Sequence, residues 1–310
     1  MIKVNIIILN YNGEKLITEC LPSIIKAKHT SKYPVRITVI DNESADRSLD
    51  VLEQYNEEID IVKCTNRVFC SYNEVVKNQD EEIAILMNND IRVDPGFIDP
   101  MVKVFEEKED AYMIAPKCYD FEGSFVEGGR SKGFIKFGWF GAVARYEGWE
   151  KELGTFNYTF QTGFGAVRRD RFIELGGYDD LYLPGRLEDA DICFRAWKKG
   201  WKSYYQPGSV VYHKGGTSFK KKFGVQGISS IDARNSLLFF WKNIFGSKYW
   251  MEHILFLPAR IGLWLIRGDF SSIKGVFQAF GKIRDVAGKR AKEKKQSFKL
   301  SDHEIFNIFR

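Results

Sequence analysis

The stretch VNIIILNYNGEKLITECLPSIIKAK, residues 4–28, decides the fold because it combines three patterns in one order. Val4–Leu9 is a short run rich in β-branched residues, which predicts a buried strand. The polar turn Asn10–Gly13 follows it. Apolar residues then recur at helical spacing, which predicts one amphipathic helix over residues 14–28. A strand, a polar turn and a helix in this order are typical of α/β proteins.

The same alternation of strand and helix continues to about residue 115. It predicts strands at Arg36–Ile40, Ile59–Lys63, Ile83–Met87 and Tyr112–Ala115, and helices at Ser48–Tyr55, Ser71–Asn78 and Phe97–Glu107. This order predicts an α/β fold with a mainly parallel sheet and helices on both faces. Such sheets bind ligands at the carboxyl ends of their strands, and Asp41 and Asp90 stand just past two strand ends.

The regular pattern stops between Lys117 and Asn157, in a segment rich in glycine and aromatic residues. Such an insertion either covers a binding site or is a surface excursion packed by its own aromatics, and the sequence leaves both open. Regular elements return after it, as a strand at Phe160–Arg168, a helix at Arg169–Leu175, a second helix over 188–199 and a strand at Val210–Tyr212.

Composition excludes several classes of protein. Hydrophobic residues make up 44% of the 310 residues and charged residues 28%, which is typical of a globular chain. The five cysteines form no CxxC pair, which disfavours a zinc ribbon or a disulfide framework and favours a reducing compartment. The apolar run Ile6–Leu9 is too short for the hydrophobic region of a signal peptide. The chain also contains no apolar stretch of about 18 residues, the length that a helix needs to span a bilayer. We therefore expect a cytoplasmic protein.

Residues 225–310 differ from the rest of the chain. Apolar and aromatic clusters alternate there with Lys and Arg, and the segment Lys282–Lys299 carries eight basic residues against two acidic ones. This pattern predicts amphipathic, basic helices that contact the inner face of the cytoplasmic membrane peripherally. The alternative is a small helical domain with a solvated basic tail. We expect no nucleic-acid partner, because the basic run is short and the rest of the chain is neutral.

Several short motifs around the polar strand ends resemble those of a known protein family. No GxxxxGK[ST] loop and no GxGxxG fingerprint is present, which disfavours an NTPase or a dehydrogenase. The chain instead contains, in order, NYNG (10–13), VIDNESADRS (39–48), NRVFCSYN (66–73), ILMNND (85–90), TGFGAVRRDRFIELGGYDD (162–180) and EDADICFRAWKKG (188–200). This series resembles the family 2 glycosyltransferases, which are inverting enzymes of the GT-A fold, and in particular a rhamnosyltransferase-like branch of bacterial polysaccharide synthesis.

The resemblance covers about residues 3–215 and implies a domain organisation. A GT-A domain is expected over residues 1–224, with a nucleotide-binding half of about 1–116 and an acceptor-side half of about 117–224. Residues 225–310 form the C-terminal amphipathic and basic helical region. The implied activity is transfer of a sugar from a dTDP- or UDP-sugar, with dTDP-rhamnose as one candidate, to a glycan or lipid-linked saccharide of the cell surface. The oligomeric state stays open.

The resemblance also implies a donor site at the strand ends. Asp41 is expected to contact the nucleotide base, and the other donor-binding candidates are Asn10, Tyr11, Asn12, Asn66, Arg67, Asn73, Asn89 and Asp90. Carboxylates and amides suit this role because they read the edge of a pyrimidine by hydrogen bonds. The alternatives are an ordinary Asx turn at Asp41 and a helix cap at Asn66 or Asn73.

A divalent cation, Mn²⁺ or Mg²⁺, is implied beside the donor diphosphate. Asp90 matches the last acid of the family's DxD-type motif, whereas Asn88 stands where the fuller motif has an aspartate, so it is only an additional candidate ligand. Hard cations of this kind prefer oxygen ligands. His213 is the second expected ligand, and a hydrogen-bonded histidine at the sheet edge is its alternative.

Asp189 is the expected general base, because family enzymes use the acid of the ED pair to deprotonate the acceptor hydroxyl. Glu188, Asp191 and Trp139 are expected on the acceptor side, and the alternatives are a structural role for Asp191 and hydrophobic packing for Trp139. Arg195 is expected to be the ion-pair partner of Asp191. An acid at the start of a helix also suits a cap, which is compatible with a catalytic role. The rival hypotheses are a degenerate, non-catalytic nucleotide-binding scaffold and a nucleotidyltransferase. The latter is disfavoured because the loop after the first strand lacks the expected basic, glycine-rich sequence.

Overall fold

The computed structural model describes residues 1–215 and 217–310, which form two compact units. Unit 1 comprises Met1–Ser131, Ala144–Tyr178 and Trp201–Gly215. Unit 2 comprises Lys132–Val143, Asp179–Gly200 and residues 217–310. Each unit is thus assembled from segments that are distant in the sequence.

Unit 1 is built on one mixed sheet of mostly parallel strands. Its strands are β1 (Val4–Asn10), β2 (Val35–Asp41), β3 (Asp60–Lys63), β4 (Ile83–Asn88), β5 (Ile91–Val93), β6 (Ala111–Asp120), β7 (Val126–Gly128), β10 (Asn157–Tyr158), β11 (Gly165–Arg168) and β12 (Lys202–His213). The remaining two strands, β8 (Lys132–Lys136) and β9 (Trp139–Val143), form a hairpin in unit 2. The strand order in the unit 1 sheet is β10-β12-β6-β11-β4-β1-β2-β3, with β5 beside β12 and β7 beside β6. β1 runs parallel to β2 and β4, whereas β11 is antiparallel to β4 and β6.

The helices of unit 1 cover this sheet. They are α1 (Glu14–Thr30), α2 (Ser48–Glu53), α3 (Ser71–Asn78), α4 (Ile98–Glu107) and α5 (Arg169–Glu174). Strand residues such as Ile6, Val39 and Ile85 pack with helix residues such as Leu21 and Met101 in one buried apolar core. The predicted α/β fold with a mainly parallel sheet is therefore confirmed.

Unit 2 is mostly helical. Its helices are α6 (Glu188–Lys198), α7 (Thr217–Asn243, with a non-helical Gly224), α8 (Ser247–Ile266), α9 (Phe270–Gly281), α10 (Ile283–Lys294) and α11 (Asp302–Ile308). Aromatic rings join them, since Phe194 of α6 lies 5.3 Å from Phe239 of α7 and 5.5 Å from Phe306 of α11, centroid to centroid. Within the described residues, no helix is both long and apolar enough to cross a membrane.

Three parts of the chain differ from the sequence predictions. The strand predicted at Phe160–Arg168 forms only over its last four residues, as β11. The irregular segment from Lys117 onward contains the end of β6 and the short strands β7 to β10. The strand predicted at Val210–Tyr212 is only the end of the 12-residue β12. Pro207 and Gly208 interrupt the strand pattern of the sequence, so the first half of β12 was not predicted. At the same place the pairing of β12 with β6 shifts register, between Gln206 and Val210.

The compact units also do not follow the predicted domain boundary at residue 224. The predicted acceptor-side half, 117–224, is divided between both units, and α6 belongs with the C-terminal helices. The physical reason is the aromatic packing of α6 on α7 and α11, which sequence periodicity does not reveal. The extent of the family domain stays a prediction.

Candidate active site

The carboxyl ends of β1 and β2 bring Asn10 and Asp41 side by side, because these residues are partners in the parallel register. Asn10 is fully buried and donates a hydrogen bond to Oδ1 of Asp41 at 3.3 Å. The backbone N–H of Ser44 donates to Oδ2 of Asp41 at 3.2 Å. Asn89 in turn donates to Oδ1 of Asn10 at 2.7 Å. Asn10 is therefore hydrogen-bonded to Asp41 and Asn89 and does not face solvent.

The turns around this edge place four of the predicted donor residues. Tyr11 is 48% exposed, and its ring is therefore available to a ligand. Asn12 has a left-handed backbone (φ 47°) and accepts a hydrogen bond from the N–H of Ala45 at 2.7 Å. Asn66 accepts a bond from Asn42 at 3.1 Å, and Arg67 is exposed. These residues line one edge of unit 1, and their roles toward a nucleotide stay predictions.

Asn73 forms hydrogen bonds within the protein itself, and a donor-binding role for it stays a prediction. Its amide nitrogen donates to the carbonyl of Tyr178 at 2.8 Å, and its amide oxygen accepts from the N–H of Tyr178 at 2.8 Å. A Cβ atom on Gly177 would lie 2.4 Å from the Asn73 oxygen. The side chain thus ties α3 to the turn at residues 176–178, and it is not the helix cap considered above.

A second cluster gathers Asp90, His213 and Glu127. The short strand β5 pairs with the end of β12 and so brings Asp90 beside His213. The His213 Nε2 atom lies 3.5 Å from Oδ2 of Asp90, and its Nδ1 atom lies 2.8 Å from Oε2 of Glu127. Cys118, Glu127 and His213 each offer a ligand atom within 4.8 Å of one another. The structure thus brings together the two ligands predicted from the sequence and adds Glu127.

The cluster fits a divalent cation. Among the side chains and backbone groups that the structure describes, no donor reaches the buried Oδ1 atom of Asp90, so this oxygen keeps a free lone pair. Two carboxylates and an imidazole suit Mn²⁺ or Mg²⁺. Burial lowers the pKa of His213, but hydrogen bonds to Asp90 and Glu127 outweigh it and raise the pKa above its usual value. Asn88 is exposed at the end of β4, and its role as a ligand stays a prediction.

Glu127 was missed from the sequence because it lies on β7, inside the irregular segment, 86 positions before its partner His213. A carboxylate in such a segment carries no periodic signal. Only the pairing of β7 with β6, which places it near Cys118, reveals its position.

In unit 2, Glu188 and Asp189 begin helix α6 and are partly exposed. Burial raises the pKa of Glu188 to about 8, with a further contribution from the negative charge of Asp189. Burial also raises the pKa of Asp189. A carboxylate with a raised pKa is a better proton acceptor than an ordinary one. The pair is therefore chemically suited to acid–base work.

Asp191 lies inside unit 2, which favours the structural alternative over the acceptor-side one. It is fully buried, and Arg195 donates to its Oδ2 atom at 2.8 Å, as the predicted ion pair requires. Lys242 lies within 2.8 Å and 2.9 Å of its two oxygens. Tyr182 and Asn243 also donate to Oδ1, at 2.8 Å and 2.7 Å. Asp191 is thus the centre of an internal ion network of unit 2.

Trp139 packs within unit 2, on the hairpin β8–β9. Its ring meets Trp264 edge to face at 5.5 Å, and the Arg260 guanidinium stands 4.6 Å from its centroid. Both partners belong to α8. At least part of the ring is therefore covered, and its stacking on an acceptor sugar stays a prediction.

Comparison with known proteins identifies the family of the chain. The model of the family described as Glycosyl transferase family 2 matches residues 5–176. The N-acetylglucosaminyl-diphospho-decaprenol L-rhamnosyltransferase of Mycobacterium tuberculosis is 24% identical over 212 residues, which cover 59% of this chain and 67% of that protein.

Solved structures show the same fold at low sequence identity. GalNAc-T7, crystallised with UDP, GalNAc and Mn²⁺, is 19% identical with a TM-score of 0.56, over 69% of this chain and 43% of the GalNAc-T7 chain. This chain thus matches less than half of GalNAc-T7. The mannosyltransferase PcManGT from Pyrobaculum calidifontis, in complex with GDP-Man and Mn²⁺, is 12% identical with a TM-score of 0.53, over 94% and 79% of the two chains. The GT-A fold is confirmed by these likenesses.

Proposed function

Because the chain belongs to glycosyl transferase family 2 and is a glycosyltransferase, we propose that it moves a sugar from a dTDP- or UDP-sugar to a saccharide or lipid-linked saccharide acceptor. The acceptor class is supported by the mycobacterial relative, whose name specifies a diphospho-decaprenol acceptor and an L-rhamnosyl donor group. We place the reaction in the synthesis of a cell-surface polymer, with inversion at the anomeric carbon.

Unit 1 would bind the donor. Asp41, held by Asn10, accepts hydrogen bonds from the base, and the exposed Tyr11 flanks it. Asp90, His213 and Glu127 would hold Mn²⁺ or Mg²⁺ against the diphosphate. When bound, such an ion neutralises the charge that develops on the departing nucleoside diphosphate. The free, buried Oδ1 atom of Asp90 is the observation that carries this proposal.

Unit 2 would supply the base. The Asp189 carboxylate accepts the proton of an acceptor hydroxyl while the hydroxyl oxygen forms a bond to the anomeric carbon. The bond between that carbon and the diphosphate breaks at the same time, and the nucleoside diphosphate leaves with the electron pair. The raised pKa of Asp189 favours this proton transfer. One displacement of this kind inverts the configuration at the sugar.

The test is a thermal-shift panel of UDP, dTDP, GDP and CMP, each with and without Mn²⁺. A ligand that binds only the folded state raises the melting temperature by mass action. We expect a shift with dTDP or UDP that grows with Mn²⁺ in the wild type and loses its metal dependence in Asp90→Ala. Asp94→Ala, at a nearby acid outside the cluster, is the control. A shift that ignores the metal would remove Asp90 and His213 from the metal site.

The non-catalytic alternative is distinguished by turnover. Its sequence support is the amide of Asn88 in place of an acid. We expect slow donor hydrolysis by the wild type without acceptor, measured as release of nucleoside diphosphate. Tight, metal-dependent nucleotide binding without any hydrolysis or transfer would favour the scaffold instead.

We also propose that α8 and α9 contact the cytoplasmic face of a membrane. The exposed side chains on α8 are apolar over several turns, at Met251, Ile254, Leu255, Leu263, Leu265 and Ile266. Phe270 and Phe277 of α9 are 68% and 72% exposed. Arg267 and Lys274 are exposed beside them. These cations repel a second copy of the same surface but attract anionic lipid, which favours a lipid surface as the occupant.

Vesicle sedimentation tests this contact. The wild type should pellet with phosphatidylglycerol-containing vesicles and less with neutral ones, and the variant Ile254→Ser, Leu255→Ser should lose most of this binding. Phe125→Ser, at an exposed apolar residue of unit 1, is the matched control. Concentration-dependent self-association that the same double variant abolishes would assign the surface to a second copy instead.

A further inference from the structure

The chain just before the proposed base has an unusual backbone. Arg186 and Leu187 both have left-handed conformations, with φ of 76° and 69°. Residues with a Cβ adopt this region rarely because it brings the Cβ close to the carbonyl oxygen that follows. Two such residues in succession persist only where surrounding contacts hold them. Helix α6 starts at the next residue, Glu188, and Leu187 provides no side-chain cap. The Glu188 carboxylate accepts one hydrogen bond from the backbone of Arg186, and the other contacts that hold this turn come from another helix.

Helix α7 of the same unit supplies them. Asn235 is fully buried, and its amide nitrogen donates to the carbonyl oxygens of Gly185 at 2.8 Å and Arg186 at 2.7 Å. The carbonyl of Tyr182 lies 3.3 Å from the same nitrogen. One side chain thus binds the carbonyl of Arg186, the first residue of the turn, and the carbonyls of two residues that precede it.

Two neighbours of Asn235 on α7 complete the contact. Arg234 donates to the Asn235 amide oxygen at 2.8 Å, which turns the NH₂ group toward the carbonyls, and also to the carbonyl of Leu183 at 2.7 Å. Asp232 accepts two hydrogen bonds from the Arg186 guanidinium, at 2.6 Å and 2.8 Å. The turn is therefore held by a short segment of one helix from the C-terminal region.

We infer that Asn235 is a positioning residue for sugar transfer: by holding Gly185 and Arg186, it fixes the left-handed turn that orients Glu188 and Asp189 at the start of α6. This inference rests on the proposed role of Asp189. It gives α7 a function in the reaction that neither the family motifs nor their spacing indicates. A displacement of the base by about 1 Å can lower a rate about 100-fold, so a loosened turn should show in kcat.

Asn235→Asp tests the inference with almost no change in volume. An ionised carboxylate there faces three carbonyl oxygens and cannot donate to them. We expect kcat to fall about 10- to 100-fold, with the donor KM and the nucleotide-induced thermal shift unchanged. Leu238→Ala is the matched control, because Leu238 is fully buried on the same helix but its apolar side chain cannot donate a hydrogen bond to the carbonyls of the turn. It should lower the melting temperature while kcat of the folded enzyme stays near that of the wild type.

A second substitution that restores kcat would distinguish a positioning role of Asn235 from a general packing role. Glycine adopts positive φ without the Cβ cost, so Leu187→Gly should allow the turn to form with less support. We expect Asn235→Ala with Leu187→Gly to recover part of the kcat that Asn235→Ala loses. No recovery, or a loss in Asn235→Asp that matches Leu238→Ala at equal melting temperature, would overturn the inference.

Hydrogen exchange gives a readout that does not depend on activity. Peptides covering residues 183–190 should exchange faster in Asn235→Asp but not in Leu238→Ala, and equal exchange in both would overturn the inference. A different result would contradict the proposed role of Asp189 as the base. If Asp189→Asn keeps full transferase activity, Asp189 is not the base, whatever the turn does in the exchange experiment.

Discussion

The two units hold their predicted site residues by different means. In unit 1, Asp41 ends β2 and Asp90 follows β4, so the backbone pairing of the sheet sets their positions. In unit 2, Asp189 follows a strained turn that side chains of α7 hold. Sheet register tolerates the loss of one side chain, whereas a turn held by a buried amide does not. Substitution of Asn235 on α7 should therefore impair catalysis while leaving nucleotide binding intact.

The largest expected effect is that of Asp189→Asn. Loss of the general base should lower kcat by about 10²- to 10⁴-fold, because the amide cannot accept the acceptor proton. Nucleotide-induced thermal stabilisation should be unchanged. Asp285→Asn, at an exposed acid of α10, serves as the control and should behave as the wild type. Equal activity of Asp189→Asn and the control would refute the assignment of the base.

The pH dependence of sugar transfer also tests the role of Asp189 as the base. Burial raises the pKa of Asp189, so the base becomes protonated at a higher pH than an ordinary aspartate, whose pKa is about 3.9. We expect kcat/KM to rise with pH through this raised pKa, giving an acid limb that lies above pH 3.9. The measurement is the pH profile at saturating metal. An acid limb at the ordinary aspartate value would mean that the carboxylate is solvated.

Lys242→Met should break the ion network of unit 2. Lys242 is 2% exposed and pairs with Asp179 at 2.6 Å and with Asp191 at 2.8 Å. Removing one partner of such buried pairs costs about 3–5 kcal/mol of unfolding free energy, because charge is left uncompensated. Urea denaturation at pH 7 measures this loss, with the exposed Lys274→Met as control. A loss no larger than that of the control would show that the network does not stabilise unit 2.

The effect of Lys242→Met should shrink in acid. Burial opposes ionisation of Asp179 and Asp191, but Lys242 nevertheless holds the pKa of each below its ordinary value. A lowered native pKa contributes stability above the unfolded pKa of about 3.9, and this stability is lost as the pH falls through the native pKa. The difference between wild type and variant should therefore be smaller at pH 3 than at pH 7.

The smallest expected effect is that of Asn73→Ala in unit 1. Two hydrogen bonds to the backbone of Tyr178 are lost, which should cost about 1–3 kcal/mol of unfolding free energy. The KM for the donor should not change, because the amide is committed to the protein. A large rise in KM with little loss of stability would support the donor-binding role of Asn73 instead.

Much of the fold and part of the site could be predicted from local patterns. The helix at Ser71–Asn78 begins and ends as predicted, and Asp41 and Asp90 do follow strand ends. Polar residues after apolar strands are recognisable because a strand is only a few residues long. The internal contacts of Asn73 and Asp191 were harder to predict. The ion pair of Asp191 with Arg195 follows from helical spacing, but Lys242 and the Tyr178 backbone lie far along the chain, so no local pattern indicates that they bind these side chains.

The sequence by itself determined the order of strands and helices, the polar strand ends and the family, because hydrophobic periodicity and short motifs are local properties of a chain. Only the tertiary structure decided that Glu127 joins Asp90 and His213, and that Asn235 holds the turn before Asp189. These arrangements depend on contacts between residues that are remote in sequence. Their energies come from burial and hydrogen-bond geometry, which exist only once the chain has folded.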